Sequence, residues 1–87
     1  MINPKNYRKR PLTIQALYWD GSDSDEMMDA LHDFLRENMW HLDATKIYIS
    51  TLEGMMSSKV PCYVLKGVRG EYYICEEEIF KETYEEV

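Results

Sequence analysis

The sequence predicts an α+β domain: a small antiparallel or mixed sheet of about five strands, one main helix on one face, and a short C-terminal helical turn. Three observations predict it. Five segments, near 12–19, 45–52, 55–59, 63–66 and 71–74, read as short strands bounded by turn residues. One segment, 24–38, repeats its apolar residues at helical spacing. The chain has 87 residues, enough for one domain and not for two. Apolar residues make up 45% of it, which supplies a core and argues against disorder.

Residues 1–10 are polar and carry Lys5, Arg8, Lys9 and Arg10, so they read as a loosely held basic arm. Pro11 suits the start of a strand, where its missing N–H does least harm. Leu12, Ile14, Ala16 and Tyr18 then alternate with Thr13, Gln15, Leu17 and Trp19. Both faces are partly apolar, so this strand is either central or covers an interface. Asp20-Gly21 ends it. Asp23 and Glu26 have the spacing of a capping box, and the acids of the first turn suit the positive end of a helix dipole. Met27, Met28, Leu31, Phe34 and Leu35 form the apolar stripe of a helix over 24–38, with Asp29, Asp33, Arg36 and Glu37 opposite and Asn38 as its stop.

Met39 to Leu42 reads as a link to a strand over 45–52 whose Ile47 and Ile49 face one way. Glu53-Gly54 is a turn, and Met55–Lys59 returns beside that strand. Tyr63–Lys66 and Glu71–Ile74 flank a short loop with glycine at both ends, the pattern of a hairpin. Pairing Lys66 with Glu71 would set Cys62 opposite Cys75. Neighbours across a sheet seldom reach good disulfide geometry, so both cysteines are expected as thiols. Glu76–Glu82 reads as one or two helical turns anchored by Ile79 and Phe80.

Little in the sequence points to catalysis. His32 and His41 have no cysteine or second histidine at zinc-ligand spacing, so neither a metal nor another cofactor is expected. Cys62 within a strand reads as a small hydrophobe rather than a nucleophile. Gly67 and Gly70 make a turn, not a phosphate-cradling loop at a helix start. Aromatic residues are more informative. Seven tyrosines and two tryptophans are more than a domain with one helix can bury, so some belong to a surface or an interface. Tyr18, Trp19, Tyr63, Tyr72 and Tyr73, with Arg8, Arg10 and Arg69 nearby, form a candidate binding set for a base and its phosphates.

The formal net charge is -6, which disfavours generic DNA binding. The charge is polarised. Glu76, Glu77, Glu78, Glu82, Glu85 and Glu86 crowd the C-terminal end and form a candidate acidic face for a protein partner. No apolar run reaches the ~20 residues of a membrane span, and no signal-peptide segment follows Met1, so a cytoplasmic location is expected.

Several of these residues also carry a resemblance. Tyr63-Val64-Leu65-Lys66-Gly67-Val68-Arg69-Gly70-Glu71-Tyr72-Tyr73, then Cys75, Ile79-Phe80 and Thr83-Tyr84-Glu85, resembles the C-terminal half of the PGDYG family. These are short proteins encoded by phages and prophages. Tyr7-Arg8-Lys9-Arg10-Pro11 through Ala16, Trp19-Asp20-Gly21 and Thr51-Leu52-Glu53-Gly54 are similar to its opening and central turn. The family's Pro-Gly-Asp-Tyr is replaced here by Val60-Pro61-Cys62-Tyr63, with only the tyrosine in place. The resemblance implies a phage origin and carries over no catalytic residue. It leads to the expectation of a non-enzymatic accessory protein, in the host cytoplasm, that binds a host defence protein or nucleic-acid enzyme. The alternatives are an oligomeric sponge for a small nucleotide signal and a minor virion or assembly protein. A homo-oligomer is expected.

Overall fold

The structure, a computed structural model, describes residues 1–8, 10–36, 38–43 and 45–87. Lys9 of the basic arm and Glu37 of the helix face lie outside the described residues. The elements run β1 (Gln15–Trp19), α1 (Asp25–Leu35), β2 (Trp40–Asp43), β3 (Lys46–Thr51), β4 (Gly54–Lys59), β5 (Cys62–Lys66), β6 (Tyr72–Glu76) and α2 (Glu77–Thr83).

The single sheet of about five strands predicted above is wrong. The strands form two three-stranded antiparallel sheets, ordered β1-β5-β6 and β2-β3-β4, and the helices are only 11 and 7 residues long. The division falls at Pro61. Without an N–H it cannot extend the β4 ladder, so the chain leaves one sheet there and enters the other as β5.

Strand β1 is shorter than the alternation of residues 12–19 suggests, because its only partner ends. Gln15 pairs with Lys66, after which the partner strand turns away at Gly67. Leu12 is left 58% exposed. Met39 to Leu42 reads as a link in the sequence, but Trp40–Asp43 is a strand: Trp40 and Leu42 face inward opposite Ile49 and Ile47. Four residues are too few for their alternation to stand out from a loop.

Helix α1 starts one residue later than the predicted capping box. A relay of short bonds leads into it. Ser22 N–H donates to Asp20 Oδ1 (2.9 Å), Ser24 N–H to Ser22 Oγ (3.2 Å), and Met27 N–H to Ser24 Oγ (3.2 Å). Ser24, not Asp23, is therefore the N-cap. The helix ends at Leu35 and not at Asn38. Arg36 takes φ +53°, with its N–H donating to His32 O (2.8 Å), while Asn38 N–H donates to Leu35 O (2.9 Å).

The predicted hairpin exists with a different register. Gly70 N–H donates to Gly67 O (3.0 Å) and Gly67 N–H to Glu71 O (2.7 Å), which leaves a three-residue loop, Val68-Arg69-Gly70. Gly70 supplies the positive φ (+83°) that closes such a loop. Lys66 thus pairs with Tyr72 rather than Glu71, and Cys62 sits opposite Glu76 while Tyr63 sits opposite Cys75. A slip of one residue exchanges the faces of a strand, so the two cysteines point to opposite sides. Both are thiols.

The core lies between the inner faces of the two sheets and α1. Trp19, Cys62, Val64 and Ile74 come from one sheet, Ile47 and Ile49 from the other, and Leu31 and Leu35 from the helix. Burying each large aliphatic side chain stabilises the fold by about 1.5–3 kcal/mol. The polar tips at its edge are satisfied. Trp19 Nε1–H donates to Ser22 O (3.0 Å), and Tyr72 O–H donates to Phe34 O (2.7 Å), tying β6 to α1.

Two predictions follow from these local geometries. A bulky side chain at positive φ is strained, so Arg36→Gly is expected to stabilise the fold by about 0.5–1 kcal/mol in urea unfolding. Cys62 is fully buried, and burial pushes its thiol up to about 11, whereas Cys75 is partly exposed. Iodoacetamide at pH 8 should therefore modify Cys75 and spare Cys62 until the protein unfolds, as read by peptide mass spectrometry. Equal labelling rates would contradict the register.

Candidate functional site

The β1-β5-β6 sheet has an outer face as well as a core face, and the outer face gathers the tyrosines. Alternation sends Tyr18, Tyr63 and Tyr73 outward, while Trp19, Cys62, Val64 and Ile74 point inward. Helix α2 follows β6 directly and folds back over this face. Its start is held by Glu77 N–H donating to Pro61 O (3.4 Å). Phe80 and Tyr84 are four residues apart and turn toward the sheet.

The rings form a continuous series. Tyr18 and Tyr63 lie side by side across the β1–β5 pair, with centroids 5.0 Å apart. Tyr63 stacks on Phe80 at 3.8 Å and 13°, and Phe80 on Tyr84 at 5.0 Å and 27°. Leu65, fully buried but outside the main core cluster, lies on the same face between Ala16 and Tyr73. Beside the rings, Pro11–Ile14 and the tail residues 85–87 enclose a cleft of about 630 Å³ with Tyr18, Tyr63, Phe80 and Tyr84 in its wall.

Carboxylates border this cleft. Glu77 accepts a hydrogen bond from the Tyr18 hydroxyl, which raises the phenol's pKa, and it lies 3.8 Å from Lys81 Nζ. Glu85 and Glu86 line the cleft. Glu78 and Glu82 are exposed and one turn apart on α2, and Glu76 is exposed at its N-cap. The tyrosines are tied together as well. Burial pushes Tyr73 up to about 12, and a hydrogen bond with Tyr84 adds to the shift.

The predicted binding set is therefore divided. Tyr18, Tyr63 and Tyr73 come together on the outer face. Trp19 is 1% exposed and belongs to the core. Tyr72 is on the inner face, its ring edge-on to Phe34 at 5.8 Å. Arg8 and Arg10 sit on the exposed arm, and neither guanidinium reaches a carboxylate among the described residues. Arg69, at the hairpin tip, lines a different cleft together with Tyr72. Phe80 and Tyr84 complete the aromatic face and were not in the predicted set. Their spacing of four was the signal, readable once α2 is placed over the sheet.

Among the described residues, no three His, Cys, Asp or Glu side chains converge as metal ligands. His41 stacks on Tyr48 at 4.5 Å on the outer face of the other sheet, and His32 packs edge-on to Trp40 at 5.0 Å. No helix among the described residues is long and apolar enough to cross a membrane. The fold and this face together define a small two-sheet domain with an aromatic cleft rimmed by acids. No family model, no curated protein and no solved structure matches the chain.

The tyrosine pair gives a pH dependence with a definite sign. Tyr73 is raised from 10.0 to about 12, so the unfolded chain loses that proton first as pH rises. The stabilisation is fully present below pH 10 and is lost as pH climbs toward 12. Urea midpoints measured across that range should fall, and Tyr73→Phe should flatten part of the fall. Cys62 contributes its own loss from pH 9 to about 11, which the Tyr73 variant leaves in place.

Proposed function

We propose that this chain is a non-enzymatic binding protein of phage type, acting in the host cytoplasm by occupying a basic surface of a host defence protein or nucleic-acid enzyme. The observation that carries the reading is the aromatic series from Tyr18 to Tyr84 bordered by Glu77, Glu85 and Glu86. Lysine and arginine side chains meet both of their preferred partners on such a surface. Ring faces attract the cation, and carboxylates pair with it. Glu76, Glu78 and Glu82 extend the same negative field outward from α2. A field of this kind speeds encounter with a basic partner and sets its orientation. The phage setting draws on the likeness of the hairpin and tail residues to the PGDYG proteins.

Native mass spectrometry of the protein purified from host cells tests this. A host protein should be retained by the parent chain. Glu82→Lys, Glu85→Lys and Glu86→Lys together should lose it, with the association rate falling by roughly tenfold or more. Salt well above physiological strength should mimic the loss. Retention by the charge-reversed variant would overturn the reading.

A further inference from the structure

A second cleft, of about 710 Å³, opens where the C-terminus of α1 meets the β3–β4 turn and the tip of the β5–β6 hairpin. Arg36, Asn38, Ser50, Leu52, Arg69 and Tyr72 line it. We propose that it binds a small organic phosphate of about nucleotide size. This inference is independent of the acidic face and its host partner.

Three features support it. First, two arginines, Arg36 and Arg69, stand in the cleft wall, and neither is paired with a carboxylate among the described residues. Among the described residues the one acid in the wall is Glu71, and it is turned into its own loop. Its Oε2 accepts from Arg69 N–H (3.0 Å), and its carboxylate lies over Gly67, in space that any Cβ there would fill. Two arginines on the rim of one cleft can each offer a planar fork of donors to the oxygens of a phosphate.

Second, the neighbouring polar groups divide cleanly. Asn38 Nδ2 donates to Ser50 O (2.9 Å), Tyr72 O–H donates to Phe34 O, and Thr51 Oγ1 donates to Gly54 O (2.7 Å). These bonds brace the wall. Among the described residues, the guanidiniums and the Ser50 hydroxyl have no such partner, which leaves them as donors for a ligand. The volume exceeds what a bare phosphate needs, and Leu52 and Tyr72 in the wall offer apolar surface to the organic part.

Third, Arg36 occupies its place at a backbone cost. A φ of +53° is ordinary for glycine and unfavourable for arginine. Glycine would end α1 more easily, yet the position carries one of the two cations of the cleft.

The test is a titration of the full chain with AMP, followed by the backbone amide resonances. Shifts should concentrate at Arg36, Asn38, Ser50, Leu52 and Arg69 to Tyr72. Inorganic phosphate should compete at those resonances, and adenosine should bind at least about tenfold more weakly, because it lacks the charge-assisted bonds. Arg69→Ala and Arg36→Gly should each weaken AMP by about tenfold or more. Arg36→Gly relieves the strained φ, so unfolding cannot account for its loss of binding. Shifts confined to residues 1–10, equal binding of adenosine, or undiminished binding by Arg36→Gly would overturn the proposal.

Discussion

Strand β5 must be buried on both faces at once, and the other elements are arranged around that requirement. Cys62 and Val64 point into the space between the sheets, and Leu65 points the opposite way, all with no exposed surface. Strands β1 and β6 cover its two edges. The second sheet and α1 close the inner side, while Phe80 stacks on Tyr63 on the outer side. The three-residue loop after Lys66 decides which residues of β6 share each face with β5. One residue more in that loop would exchange the inward and outward residues of β6.

Local features were legible in the sequence wherever a short-range pattern determines them. The stripe Met27, Met28, Leu31, Phe34 and Leu35 marks α1, of which Leu31 and Leu35 are fully buried. Ile47 and Ile49 mark the buried side of β3, and the Gly67–Gly70 segment marks a hairpin. The number of sheets was not legible, because it depends on how segments far apart in the chain share one core. The hairpin register hinged on one residue of turn geometry, and several loops fit the same two glycines. Leu12 and Ile14 continue the alternation of β1 beyond the end of its partner, so periodicity overstated that strand.

The candidate site was legible in its residue types and not in its grouping. Tyr18 and Tyr63 meet because β1 and β5 pair, a contact across more than half of the described chain. Tyr72 and Tyr73 could not be separated by composition. Parity alone sends Tyr73 outward and gives Tyr72 to the contact with Phe34. The glutamates near the C-terminal end were visible as a charge run, but their relation to the aromatic rings depends on α2 folding back over the sheet. Nothing in the sequence singles out Arg36, whose position depends on the termination of α1.

The pairing of β1 with β5 has a further consequence for how the chain reaches its fold. Strands β2, β3 and β4 follow one another in a meander, and β5 and β6 are joined by a three-residue loop, so both groups assemble from neighbours in sequence. Trp19 reaches Cys62 only across α1 and the whole of that meander. Closing so long a loop costs more entropy than any other strand pairing in the molecule and gains nothing until the strands align. Trp19 is also the largest fully buried side chain in the core. The indole and the non-local ladder therefore arrive together, and the aromatic cleft, which needs Tyr18 beside Tyr63, is assembled by the same event.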